Sequence, residues 1–145
     1  MKVKVTPSKV SGNIKIPASK SMAHRALICA SLSNGTSIVS NVTNSKDIEA
    51  TVGCMKALGA KIQQIDETTY KVTGTNLFKQ AGNITCNANE SGSTLRFLIP
   101  LAACTNAKVK FLGQGRLLQR PMDVYANEFK EQNIEFNQSD KEIIV

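Results

Sequence analysis

Residues 12–39, GNIKIPASKSMAHRALICASLSNGTSIV, can be laid over residues 82–109, GNITCNANESGSTLRFLIPLAACTNAKV. Both stretches open on Gly-Asn-Ile, and Ser21 falls over Ser91. After one inserted residue Arg25 falls over Arg96 and Ile38 over Val109. The offset is 70 to 71 residues, and downstream MKALGAKI (55–62) and DETTYKV (66–72) come in the same order as FKEQNIEF (129–136) and SDKEIIV (139–145). One supersecondary unit is used twice.

Periodicity gives the content of that unit. Residues 12–17 alternate as a strand. Ser21 to Ser33 carry Met22, Ala26, Leu27, Ala30 and Leu32 near helical spacing until Asn34-Gly35 stops them. Thr36 to Val42 is β-branched and strand-like. Ser45 is placed to cap a helix whose apolar positions Ile48, Val52, Met55 and Leu58 recur at three and four before Gly59 ends it. Residues 61–65 and 69–72 read as a hairpin. The unit is β-α-β-α-β-β, with copies expected at about 12–75 and 82–145, in an α/β (α+β) fold. Two copies ending on the strand KEIIV point to a longer parent, because such units bury their apolar faces on one another.

The composition narrows the class. The chain has 145 residues, 41% hydrophobic and 20% charged, which suits a globular domain with a real core. No apolar run reaches membrane-spanning length, and MKVKVTPSKV alternates lysine with valine instead of forming a signal peptide. A cytoplasmic protein without a membrane partner is expected. Cys29, Cys54, Cys86 and Cys104 form no C-x-x-C pair, and there is a single histidine. They read as buried free thiols, and neither a metal nor a cofactor is expected. The net charge of +7 attracts anions, but only 5% of residues are aromatic and the lysines are scattered. Small anionic substrates therefore fit better than nucleic acid.

A helix starting near Ser21 presents unpaired N–H groups and the positive end of its dipole to an anion. Arg25 lies four residues on, roughly 40° around the helix, so a hydroxyl and a guanidinium can share one ligand, with Lys20 as a mobile charge at the entrance. The plainer alternative makes Ser19 or Ser21 an N-cap and Lys20 and Arg25 solvated surface. The final SKS is not a P-loop, since Ile14 and Ser19 occupy the positions where glycines are required. His24 reads as a polar helix residue with no partner in sight. In NESGSTLRF, Gly92 opens the backbone to a ligand and Arg96 follows four residues later. In GQGRLLQRPMD, Arg116 and Arg120 stand beside Pro121, which reads as a first helical position.

GNIKIPASKSMAHRALICASL, SGSTLRFLIPLA and GRLLQRPMD resemble, in order and spacing, three N-terminal signature regions of the 5-enolpyruvylshikimate-3-phosphate synthase family. The resemblance covers nearly the whole chain but only about the first third of a typical member. It implies an enolpyruvyl transferase fold of two domains, each an inside-out α/β barrel of three such units, incomplete here, with the remainder of the enzyme expected beyond Val145. The reaction implied is transfer of the enolpyruvyl group of phosphoenolpyruvate to the 5-hydroxyl of shikimate 3-phosphate, on the route to chorismate and the aromatic amino acids. Residue by residue, the resemblance implies that Lys20 meets both substrates and takes part in catalysis, that Ser21 and Arg25 hold shikimate 3-phosphate, and that Gly92 and Arg120 hold phosphoenolpyruvate. Arg96 is a supporting residue. Glu90 departs from the asparagine most members carry and sets a carboxylate near an anion site. The sister family acting on UDP-N-acetylglucosamine has an AKN-like segment, so SKSMAHR favours the shikimate branch. The 145-residue chain alone is expected to be inactive. The competing readings are a free-standing anion-binding module without catalysis and a different enolpyruvyl transferase.

Overall fold

The computed structural model describes residues 2–14 and 16–145. The first helix, α1 (Lys20–Leu32), is capped by Ser19, whose hydroxyl accepts the Met22 N–H at 3.3 Å. Gly35, at φ 97°, makes the turn into β1 (Thr36–Val39). Ser45 caps α2 (Lys46–Ala57) by accepting the Ile48 N–H at 3.3 Å. Asp47 and Glu49 in its first turn and Lys56 in its last suit the helix dipole. The hairpin follows as β2 (Lys61–Asp66) and β3 (Thr69–Thr73). After a short 3-10 turn at Leu77–Lys79 come β4 (Ala81–Asn87), α3 (Gly92–Ala102) and β5 (Asn106–Leu112). A second 3-10 turn, Leu117–Gln119, leads to α4 (Asp123–Glu131) and the short strands β6 (Asn137–Gln138) and β7 (Ile143–Ile144).

These strands form two sheets, ordered β1-β3-β2 and β4-β5-β7-β6. β1 and β2 flank β3 antiparallel, and β7 pairs antiparallel with β5 and β6. β4 and β5 are parallel, joined through α3, with Ala81 opposite Asn106 and Asn87 opposite Leu112. The register places the end of β4 directly before the cap of α3. α1, α2 and α3 pack on one another; α1 also lies on β1 and β3, α2 on β2 and β4, and α3 on β5. One continuous core results, with Leu27, Ile48, Met55, Leu58, Leu95, Leu98, Ile99, Phe111 and Ile143 at its fully buried centre. Among the described residues no helix is long and apolar enough to cross a membrane.

Several expectations need correction. Residues 12–14 and 16–17 form no strand, and Lys15 within that stretch lies outside the described residues. Alternation becomes a strand only where one face meets a core, and here Ile14 and Ile16 are both exposed. The outer edge of β1 is accordingly unpaired among the described residues, whereas the corresponding edge of β5 carries β4. β1 is shorter than Thr36–Val42, because Asn41 turns the chain at φ 58°. Pro121 is not a first helical position: α4 begins at Asp123 behind Met122. Only Cys54 and Cys86 are buried thiols, while Cys29 and Cys104 are exposed. Cys54 Sγ donates to the Asn87 carbonyl at 3.4 Å and Cys86 Sγ to the Cys54 carbonyl at 3.8 Å; the neighbouring Cys86 thiol, together with burial, pushes the Cys54 thiol well above its ordinary range.

Pro100 sits inside α3 and has no N–H to give the carbonyl of Arg96 one turn back. Tyr125 of α4 fills that vacancy, its Oη donating to the Arg96 carbonyl at 3.0 Å. Tyr125 also packs with Phe129 and Phe136, the latter two meeting edge to face at 5.8 Å.

Candidate anion-binding site at the mouths of α1 and α3

Three chain segments converge on one cleft of ≈ 390 Å³, lined by Asp47, Glu90, Gly92, Ser93, Arg96, Phe97 and Arg120. Its floor is the N-terminus of α3, where the Ser91 hydroxyl accepts the Thr94 N–H at 3.2 Å and leaves the first N–H groups of the helix free for a ligand. Arg120, just after the second 3-10 turn, lays its guanidinium against Gly92, where a Cβ would collide with Nη1. Glycine at the first position of α3 thus leaves room for a cation at the helix mouth. Gln138 steadies that segment, its Nε2 donating to the carbonyls of Leu118 at 2.6 Å and Arg120 at 2.9 Å.

α1 touches the cleft through two of the lining residues, Asp47 and Phe97. Lys20, its first residue, reaches Asp47 on α2, with Nζ 2.6 Å from Oδ2. Both side chains are partly exposed, and a pair of this kind adds at most about 1 kcal/mol to stability. The sequence reading missed Asp47. Its only signal was an acid two residues after a capping serine, which a helix start explains by itself. Arg25 does not open onto the cleft directly. It folds back on its own helix, Nη1 donating to the Ser21 carbonyl at 2.9 Å, and its Cζ lies 5.0 Å from the centre of the Phe97 ring. The backbone of Ser21 therefore meets Arg25, and the Ser21 side chain is left exposed. Arg116 lines a separate cleft with Gln119, Arg120 and Pro121. Glu90 makes no ion pair among the described residues, and a Cβ on Gly115 would come within 2.6 Å of its Oε1. Glu90 lines the cleft together with Arg96 and Arg120 and pairs with neither.

His24 is the larger correction, for it is completely buried. Its Nδ1 lies 2.7 Å from Thr51 Oγ1, Thr51 Oγ1 lies 2.7 Å from Thr94 Oγ1, and Thr94 donates to Ser91 Oγ at 2.7 Å. One line of polar atoms thus crosses α1, α2 and α3 to end on the cap beside Gly92. Sequence spacing gives no hint of it, since the members are 27 and 43 residues apart. Burial, opposed by Asp47 and helped by Lys20 and Arg25, holds the imidazole below its ordinary value of 6.5. The fold therefore keeps His24 neutral, while the unfolded chain takes up a proton below pH 6.5. Stability should fall as pH drops through that value, because the unfolded state then binds more protons. Urea midpoints between pH 8 and pH 5 test this, with His24→Gln expected to flatten the profile and an unchanged profile counting against it.

Comparison with known proteins follows the same lines. Residues 4–145 match the family model described as EPSP synthase (3-phosphoshikimate 1-carboxyvinyltransferase). A 3-phosphoshikimate 1-carboxyvinyltransferase of Clostridium perfringens strain SM101 is 46% identical over 142 residues, covering 98% of this chain and 33% of that relative. One from Clostridium kluyveri is 48% identical over 132 residues, covering 91% of this chain and 30% of the relative. The chain thus spans about a third of the length of the curated relatives it matches. EPSP synthase from Acinetobacter baumannii superposes with a TM-score of 0.78 over 92% of this chain and 32% of that one, at 19% identity, and so shares the fold. The chain belongs to the EPSP synthase family.

Proposed function

We propose that this chain forms the N-terminal part of a 3-phosphoshikimate 1-carboxyvinyltransferase, acting in the cytoplasm, and that the natural protein continues beyond Val145. The observation that carries the reading is the Arg120 guanidinium seated on Gly92 at the mouth of α3, with Arg96 in the same cleft. A helix N-terminus joined by two guanidinium groups is matched to a phosphate or carboxylate. Exposed free thiols at Cys29 and Cys104 suit a reducing compartment.

In this reading Gly92 and Arg120 hold phosphoenolpyruvate, with Arg96 in support, while Ser21 and Arg25 hold shikimate 3-phosphate. Lys20 lies between them. The reaction forms a bond from the 5-hydroxyl oxygen to C2 of phosphoenolpyruvate, the hydroxyl proton passing to a base, while C3 takes up a proton from an acid. Phosphate then leaves C2 as C3 gives up a proton, restoring the double bond. Several negative charges must be neutralised throughout, which arginines do without losing their protons. Lysine can surrender one, and Lys20, poised against Asp47, is the group here suited to a proton-transfer role.

The test uses the whole enzyme. Arg120→Ala should weaken phosphoenolpyruvate and Arg25→Ala shikimate 3-phosphate, each by roughly tenfold or more. Lys20→Ala should also lower turnover at saturation. The 145-residue chain alone should release no phosphate above background, because it supplies one side of a site that must close on its reactants. If all three substitutions weaken both substrates equally and leave saturated turnover intact, the cluster is a diffuse electrostatic funnel. A whole protein that binds both anions and turns over neither is a binding module.

A further inference from the structure

We propose that His24 is a positioning residue that, through Thr51 and Thr94, holds the Ser91 cap of α3 and so sets the anion-binding mouth at Gly92 against the mouth of α1. This rests on the anion-site reading above.

The direction of the hydrogen bonds follows from their ends. Thr94 has one hydroxyl proton, and its acceptors are Ser91 Oγ at 2.7 Å and the Asp47 carbonyl at 3.3 Å, a group that can only accept. With that proton given to Ser91 or Asp47, in this proposal Thr51 donates to Thr94 and the Nδ1–H of His24 donates to Thr51. The neutral tautomer is thus fixed, and the other ring nitrogen, Nε2, is left as a bare acceptor that finds no partner among the described residues. A buried acceptor without a donor costs stability. An apolar side chain would fill the same space without that cost, so the gain from histidine lies in its one tie to Thr51.

The tie has a defined destination. Ser91 Oγ receives both the hydroxyl and the backbone N–H of Thr94, which places the first turn of α3 under the control of the line of hydroxyls. The same α2 segment that carries the Asp47 carbonyl carries the carboxylate paired with Lys20. The N-terminal ends of α1 and α3 are therefore registered through α2 by shared hydrogen bonds as well as through packing. Hydrogen bonds in such a line polarise one another. An anion on the α3 N–H groups should be felt at the imidazole, although His24 does not line the cleft.

The chain has a single histidine, so nitrogen NMR of the ring is free of overlap. The expected spectrum of the 145-residue chain is that of a neutral ring protonated on Nδ1; a ring protonated on Nε2 would overturn the proposal. Millimolar phosphoenolpyruvate, against matched sodium chloride, should shift the Gly92 amide and both ring nitrogens. Thr94→Val should keep the Gly92 shift and lose the ring response, and Thr94→Ser should restore it. A Gly92 amide that moves while the wild-type ring stays still overturns the positioning role alone. A Gly92 amide that does not move overturns the anion-site reading and the positioning role with it. A ring response that persists in Thr94→Val also overturns the proposal, since the signal would then bypass the hydroxyls.

Discussion

Gly92→Ala in the whole enzyme should weaken phosphoenolpyruvate binding by roughly a hundredfold while leaving the fold at least as stable as before. The new methyl would occupy the place of the Arg120 guanidinium, which would have to swing out of the helix mouth. A displaced arginine loses its fork of charge-assisted hydrogen bonds to the ligand, and such bonds are worth about 1.5 to 3 kcal/mol each. Two of them at the lower figure amount to about 3 kcal/mol, or roughly two decades in Kd. Stability should move the other way, because alanine is favoured over glycine in a helix by about 1 kcal/mol. Titration with phosphoenolpyruvate and thermal melting of the same variant separate the two effects. An unchanged Kd would show that Arg120 is not a ligand in the place where it rests. A lowered Tm would show that the methyl damages the fold as well as the site.

Phe111→Ala should cost about 3 to 5 kcal/mol, a large share of the roughly 5 to 15 kcal/mol that holds a domain together. Phe111 is completely buried in β5, opposite Cys86 of β4 on one side and Ile143 of β7 on the other. Its removal leaves a cavity where two pairings meet, and β4 runs on within four residues to the Ser91 cap. Urea unfolding should show a lower midpoint with an unchanged slope. A loss below about 1 kcal/mol would mean that the sheet closes over the gap and that β5 is less central than its burial implies.

Most helices were legible because their ends are written in local chemistry. Ser45 and Gly59 bound α2 by capping and by left-handed turning, both properties of single residues. The hairpin was legible for the same reason. The stretch at 12–17 was not, because its alternation records a capacity to pair, and pairing depends on a neighbour that sequence does not name. Pro121 misled for a related reason: proline fits a first helical position, but it fits the extended segment before one equally well. At the site, Lys20, Gly92, Arg96 and Arg120 could be singled out because their types suit anions. Asp47, Phe97 and the path from His24 to Ser91 could not, since each acquires its meaning from a residue on another helix.

The proline in α3 makes the site depend on the least secured helix of the chain. α4 has nine residues and buries only Phe129, so it is the segment expected to open first in local fluctuations. When it does, the phenol of Tyr125 leaves the Arg96 carbonyl, and Pro100 has no amide to take its place. The turn that carries Arg96 then bends more freely, with no bond in the helix ladder broken to mark the event. Hydrogen exchange along α3 would be silent at the weak point, because proline has no amide to exchange. The motion would show instead in the exchange of α4 amides, and a partner or ligand that quiets those amides would be stiffening the arginine from a helix away.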